Sequence, residues 1–163
     1  LSARIIEEQG FEAIVGGGYA AAGSLLGQPD TGQSNMRDFA DHYARICDAV
    51  EIPVYADGDT GFGGVNNLRQ MVKAFEKAGV AALFFTDQVF PSRCGYLPGK
   101  QIVRTEQILA KVKAALDARR DPDLQQGADD PVPRHTRQAD RGSGDSCLCL
   151  DQYSGRQIFG NDQ

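Results

Sequence analysis

The sequence predicts an α/β fold built on a parallel sheet, and three observations predict it. Strand-like and helix-like segments alternate from Leu1 to about Leu124, an order that implies parallel strands joined by crossover helices. Residues 80–87, VAALFFTD, form a continuous apolar run of the kind covered on both faces in a parallel sheet. Three strand ends run into polar, glycine-rich loops, which is where function collects in such folds. Spacing alone leaves two architectures open, a doubly wound sheet and a (β/α)8 barrel.

Each element has a local reason. SARIIEEQG (2–10) reads as a short helix capped by Ser2 and stopped by Gly10. EAIVGGG (12–18) reads as a brief buried strand entering a glycine loop. NMRDFADHYARICDAV (35–50) sets Met36, Phe39, Tyr43, Ile46 and Val50 at helical spacing with charges opposite. IPVYAD (52–57) is a strand opened by a proline. NNLRQMVKAFEKAG (66–79) puts Leu68, Met71, Val72, Phe75 and Ala78 on one face, with Gly79 as a stop. After 80–87, the loop QVFPSRCGYLPGK (88–100) leads to a helix from about Thr105 to Ala118 with Ile108, Val112, Ala115 and Leu116 inward. The predicted order is αβαβαβα.

Beyond Leu124 neither period persists. Residues 125–163 are rich in Gly, Asp, Gln and Arg, with few large apolar side chains, and read as an irregular, disordered tail. The expected division is therefore 1–124 as the catalytic α/β domain and 125–163 as the tail.

Composition bounds the function. The 163 residues are 41% hydrophobic and 24% charged, as in an ordinary globular protein. A net charge of −5 argues against nucleic acid as a partner, and no apolar run reaches the roughly 20 residues needed to span a bilayer. Cys47, Cys94, Cys147 and Cys149 form no CxxC pair and no disulfide framework, so a reduced, cytoplasmic setting is expected. Cys47 reads as a small core residue. His42 and His135 show no partner for a histidine-based triad.

Asp57 and Asp59, two apart at the end of an extended strand, would point the same way and could face one ion. Hard oxygen ligands of this kind suit Mg²⁺, with Mn²⁺ as the alternative. Gly58, Gly61, Gly63 and Gly64 would let a substrate approach along the backbone; the competing reading is a solvated Asp/Gly turn. Gly16, Gly17 and Gly18 could offer N–H groups to an anion or be a plain strand exit. Cys94, beside Arg93, could be an acid or nucleophile or an inert loop residue.

Taken together, GGGYAAAGSLLGQPDTG (16–32), ADGDTGFGG (56–64) and TDQVFPSRCGYLPGK (86–100) resemble the isocitrate lyase/phosphoenolpyruvate mutase family. The likeness is nearest to members acting on 2-methylisocitrate or 2,3-dimethylmalate, and covers Leu1 to about Leu124. It implies the N-terminal half of a (β/α)8 barrel with Mg²⁺ at its C-terminal face. It further implies Asp57, Asp59 and Asp30 as metal-site acids, and Gly17, Gly18, Tyr19, Asp57, Cys94 and Gly95 as substrate-binding positions. Cys94 would be the general acid in cleavage of a small 2-hydroxy di- or tricarboxylic acid. The alternatives are a carboxyphosphonoenolpyruvate phosphonomutase, an oxaloacetate hydrolase or decarboxylase, and an inactive fragment.

Four departures accompany the resemblance, one being that the first barrel strand is expected to precede Leu1. Thr86 stands where the family usually has a metal-site Glu, which implies weaker Mg²⁺ binding. Ser92 and Tyr96 replace the usual Lys and His around Arg93-Cys94-Gly95, leaving fewer cations to lower the Cys94 pKa. The tail takes the place of the next strand, as in a truncated or frame-shifted product. A homo-oligomer is the expectation for a full-length relative and is not carried over to this chain.

Overall fold

A computed structural model describes residues 1–93 and 98–119, together with the backbone of 145–149. The elements are α1 (Ser2–Glu8), β1 (Ile14–Gly16), α2 (Gly18–Leu26), α3 (Met36–Cys47), β2 (Val54–Asp57), α4 (Val65–Lys77), β3 (Ala82–Thr86), α5 (Thr105–Ala118) and β4 (Asp145–Cys149). The sheet order is β1-β2-β3-β4. β1 pairs parallel with β2 (Ile14 opposite Val54), and β2 pairs parallel with β3 (Tyr55 opposite Ala82). The α/β reading with parallel strands holds, and the exits of β1, β2 and β3 fall at one end of the sheet.

The helix faces anticipated from spacing are those that pack. Phe39, Tyr43, Leu68, Met71, Val72 and Phe75 are buried, with Met36, Ile46, Ala78, Ile108, Val112 and Leu116 packed partly against them. Phe75 meets the edge of the Tyr43 ring at 5.2 Å and 85°. Burying each such side chain contributes about 1.5–3 kcal/mol, so this cluster between the helices and one sheet face dominates the fold's stability.

Four expectations need correction. Residues 18–26, read as loop, form α2. Ala20, Ala21, Ala22, Leu25 and Leu26 are strong helix formers, Gly17 is the N-cap, and Gly27 ends the helix at φ +63°. Ser2 is the first helical residue of α1 and not its cap; Leu1 holds that place without a side-chain bond. β3 is not equally covered on both faces: Leu83 and Phe85 are buried, while Ala82, Phe84 and Thr86 are half-buried. The helices pack on one face, and the other carries Tyr55 and Phe84, tilted together at 5.1 Å. Finally, within the tail, β4 is extended and pairs antiparallel with β3, Phe84 opposite Cys147. An open strand edge presents unpaired N–H and C=O groups, and β4 takes up those of β3. The rest of 125–163, and the boundary at Leu124, lie outside the described residues.

Tyr43 joins this core to the sheet's functional end. Its ring fills the space a side chain at Gly16 would need, since an added Cβ would lie 2.7 Å from Tyr43 Cε1. Its hydroxyl donates to the Asp57 carbonyl at 2.9 Å. Tyr43→Phe is expected to cost about 1 kcal/mol, because a part-buried carbonyl loses the hydroxyl that donates to it. Urea unfolding at constant m-value checks this; an unchanged midpoint would mean the hydroxyl is energetically idle.

Candidate active site

Parallel pairing brings three segments together: Gly17-Gly18 after β1, residues 58–64 after β2, and 87–93 after β3. Asp57, the last residue of β2, lies at their centre. Its Oδ2 accepts from the Gly18 N–H at 2.8 Å and its Oδ1 from the Asp59 N–H at 2.8 Å. These bonds fix the carboxylate against the start of α2.

Asp59 reaches the site by a route that the strand period does not describe. β2 stops at Asp57, and Asp59 adopts φ +49°, a left-handed conformation that Asp tolerates better than most residues. The turn folds back so that the Asp59 N–H caps Asp57 and the Thr86 N–H donates to the Asp59 carbonyl at 2.7 Å. The two aspartates therefore share a site by a turn and not by the pleat. Ser92 Oγ donates to Asp59 Oδ1 at 2.5 Å.

Asp30 completes the acidic group. A Cβ placed on Gly18 would lie 2.8 Å from Asp57 Oδ2 and 3.3 Å from Asp30 Oδ2, so the missing side chain of Gly18 is what lets both carboxylates approach α2. Asp30 Oδ1 also accepts from the Gly32 N–H at 3.3 Å. Burial raises the Asp59 pKa; the Ser92 bond opposes the rise, and the charges of Asp57 and Asp30 add to it. Burial, then the charge of Asp57, raises the Tyr43 hydroxyl as well, with smaller contributions from Asp30 and Asp59.

A lysine balances this charge from behind. Lys111 on α5 donates from Nζ to the Thr60 carbonyl at 2.8 Å; burial lowers its pKa and the charge of Asp59 opposes that. Sequence reasoning passed over Lys111. The available signal was its place three residues after inward-facing Ile108, at the margin of the buried stripe.

The donor chemistry fits Mg²⁺: hard, partly buried carboxylate oxygens at the sheet's C-terminal end. Among the described residues no three His, Cys, Asp or Glu side chains converge as a ready-made ligand group. The fit is therefore to an ion that keeps several waters and takes one or two carboxylates. Of the positions expected from the sequence to meet a substrate carboxylate, Gly18 has its N–H engaged by Asp57. Gly17 is the N-cap of α2, and Tyr19 lies in its first turn with its side chain 71% exposed. Cys94 and Gly95 lie outside the described residues.

A family pattern described as phosphoenolpyruvate phosphomutase matches residues 1–126. The chain belongs to the phosphoenolpyruvate mutase/isocitrate lyase family. It is 42% identical over 124 residues to a 2,3-dimethylmalate lyase of Eubacterium barkeri, covering 76% of this chain and 43% of the relative. It is also 42% identical over 122 residues to a 2-methylisocitrate lyase of Shewanella oneidensis, covering 75% and 42%. The chain thus spans about two fifths of the length of these curated relatives. A crystal structure of 2,3-dimethylmalate lyase superposes with a TM-score of 0.70 at 36% identity, covering 72% of this chain and 40% of that one. A phosphonopyruvate hydrolase solved with oxalate and Mg²⁺ superposes with a TM-score of 0.66 at 33% identity, covering 76% and 41%. The chain's parallel strands and helices are thus those of part of a (β/α)8 barrel of this family. Among the described residues no helix is long and apolar enough to cross a membrane.

Proposed function

We propose that this chain carries the metal and carboxylate half of a Mg²⁺-dependent carbon–carbon lyase. Its substrate would be a small 2-hydroxy di- or tricarboxylic acid of the 2-methylisocitrate or 2,3-dimethylmalate type. The observation that carries the reading is the meeting of the Asp57 and Asp30 carboxylates at side-chain-free Gly18, with the Asp59 N–H bonded to Asp57. Asp57 and Asp59 would hold the ion, with Asp30 beside them. When bound, Mg²⁺ supplies fixed positive charge for the negative charge that develops on a substrate of this class.

The chain's own groups do the rest. Backbone N–H groups at the start of α2, at Gly17 and Tyr19, orient a substrate carboxylate, helped by the positive end of the helix. A base takes the hydroxyl proton as the adjacent C–C bond breaks, giving a 2-keto acid, the electron pair leaving on the carbon of the departing carboxylate. Cys94 gives that carbon its proton, as general acid. Lys111 and Tyr43 keep the loop after β2 and the end of β2 in place.

The test is pyruvate release by the 163-residue chain from 2-methylisocitrate and 2,3-dimethylmalate, in Mg²⁺ and in EDTA. Turnover is expected in Mg²⁺, absent in EDTA, and abolished by Cys94→Ser. Unchanged release from Cys94→Ser would remove the cysteine from the chemistry. Oxalate and acetate formed from oxaloacetate would move the assignment to the hydrolase branch. Failure with every substrate, alongside retained ion binding, would favour a non-catalytic role.

A further inference from the structure

We infer that Ser92 is a positioning residue for Asp59, so that the loop after β3 sets how tightly the acids after β2 hold a divalent ion. The inference rests on the metal reading above. Ser92 Oγ reaches Asp59 Oδ1 at 2.5 Å across 33 positions of sequence, and the loop delivering it is braced on both sides. On one side Pro91 packs against Gly32, two residues beyond Asp30, so closely that a Cβ on Gly32 would lie 2.5 Å from Pro91 Cβ. On the other, the Gln88 side chain bonds both backbone groups of Arg93, its Nε2 donating to the carbonyl and its Oε1 accepting from the N–H, each at 3.0 Å. Arg93 in turn donates from its guanidinium to the Pro98 carbonyl at 3.1 Å. Ser92 is thus held between two fixed neighbours.

One hydroxyl occupies only part of a carboxylate's acceptor capacity, which is about four lone-pair sites. Asp59 can keep its bond to Ser92 and still offer an oxygen to an ion. Carboxylates that ligate metals are themselves oriented by hydrogen bonds, and loss of such a bond costs about 10–100-fold in affinity. A hydroxyl is also neutral. It aims Asp59 without placing a competing cation beside the ion, as a lysine at this position would.

The experiment titrates the full chain with Mn²⁺, reading free Mn²⁺ by its EPR signal, and records metal-free thermal midpoints in parallel. Ser92→Ala and Ser92→Cys are expected to weaken Mn²⁺ binding about tenfold or more, with midpoints close to wild type, while Ser92→Thr restores affinity. A purely structural serine would lower the midpoint and leave the affinity of the folded protein unchanged. If Asp59→Asn loses Mn²⁺ while Ser92→Ala and Ser92→Cys bind like wild type, the inference is overturned and the metal reading stands. If Ser92→Thr weakens binding as much as Ser92→Ala, the hydroxyl is not the determinant and the inference also fails. If wild type and Asp59→Asn take up Mn²⁺ equally poorly, the metal reading fails and takes this inference with it.

Discussion

Gly18→Ala is expected to weaken divalent-ion binding by about 10–100-fold while leaving the thermal midpoint nearly unchanged. Alanine is the better helix former, and Gly18 opens α2 with no positive φ to lose, so the local backbone accepts the change. The added methyl meets Asp57 Oδ2 at 2.8 Å, and Asp57 Cγ and Asp30 Oδ2 at 3.3 Å. Those atoms are ends of side chains and can swing away, which is why the fold survives. Asp57 can swing only by giving up the Gly18 N–H, which fixes its orientation, and Asp30 is pushed from its neighbour. The cost therefore falls on the site. Gly17→Ala is the control: nothing lies within 4 Å of a Cβ there, and binding should match wild type. Equal loss in both variants would mean that backbone freedom at the start of α2, and not the space around Asp57, is what matters.

How legible this was in the sequence differs element by element. α4 and α3 were legible because their apolar residues sit at helical spacing and the opposite faces are charged; Leu68, Met71, Val72 and Phe75 are all buried. β2 was legible from its proline start and aspartate end. α2 was not, because glycine before and within an alanine run reads as a loop when propensity is taken one residue at a time. The helix exists because Gly17 and Gly27 mark its two ends and because Ala21 and Ala22 are buried. β4 was illegible because its pairing is nonlocal: the edge of β3 selects the segment.

In the site, the identities of Asp57, Asp59 and Asp30 were legible, but the geometry joining them was not. A strand period put Asp57 and Asp59 side by side, whereas a left-handed residue and an N–H···carboxylate bond do so in the structure. Ser92 looked like a loss, a lysine missing from a motif, because the partner of a loop serine cannot be read from sequence distance. Its bond to Asp59 spans a whole β2–α4–β3 crossover. Lys111 shares that difficulty, being a charged residue on an amphipathic helix whose target lies on another loop.

Asp59→Asn is expected to abolish divalent-ion binding and, in the absence of metal, to raise the thermal midpoint by a few degrees. Asparagine keeps the shape, tolerates the left-handed φ of +49°, and can still accept from Ser92. What it removes is a partly buried charge beside two other carboxylates, and burial is the first cause of the raised Asp59 pKa. For an acid whose folded pKa lies above its unfolded value, the folded state binds the proton more tightly. Its contribution thus favours the fold at low pH and is lost as pH rises from the ordinary carboxylate value through the raised one. Metal-free wild type should therefore gain from this group as pH falls through the raised Asp59 pKa toward the ordinary carboxylate value, and Asp59→Asn should flatten that part of the profile. With Mg²⁺ present the sign reverses, since protons compete with the ion for the same oxygens. Midpoints recorded against pH for both proteins, in EDTA and in Mg²⁺, separate the two effects. A metal-free Asp59→Asn midpoint below that of wild type at neutral pH would show that Ser92 and the Thr60 N–H already compensate the charge. Charge repulsion around Asp59 would then not be what favours an ion at this site.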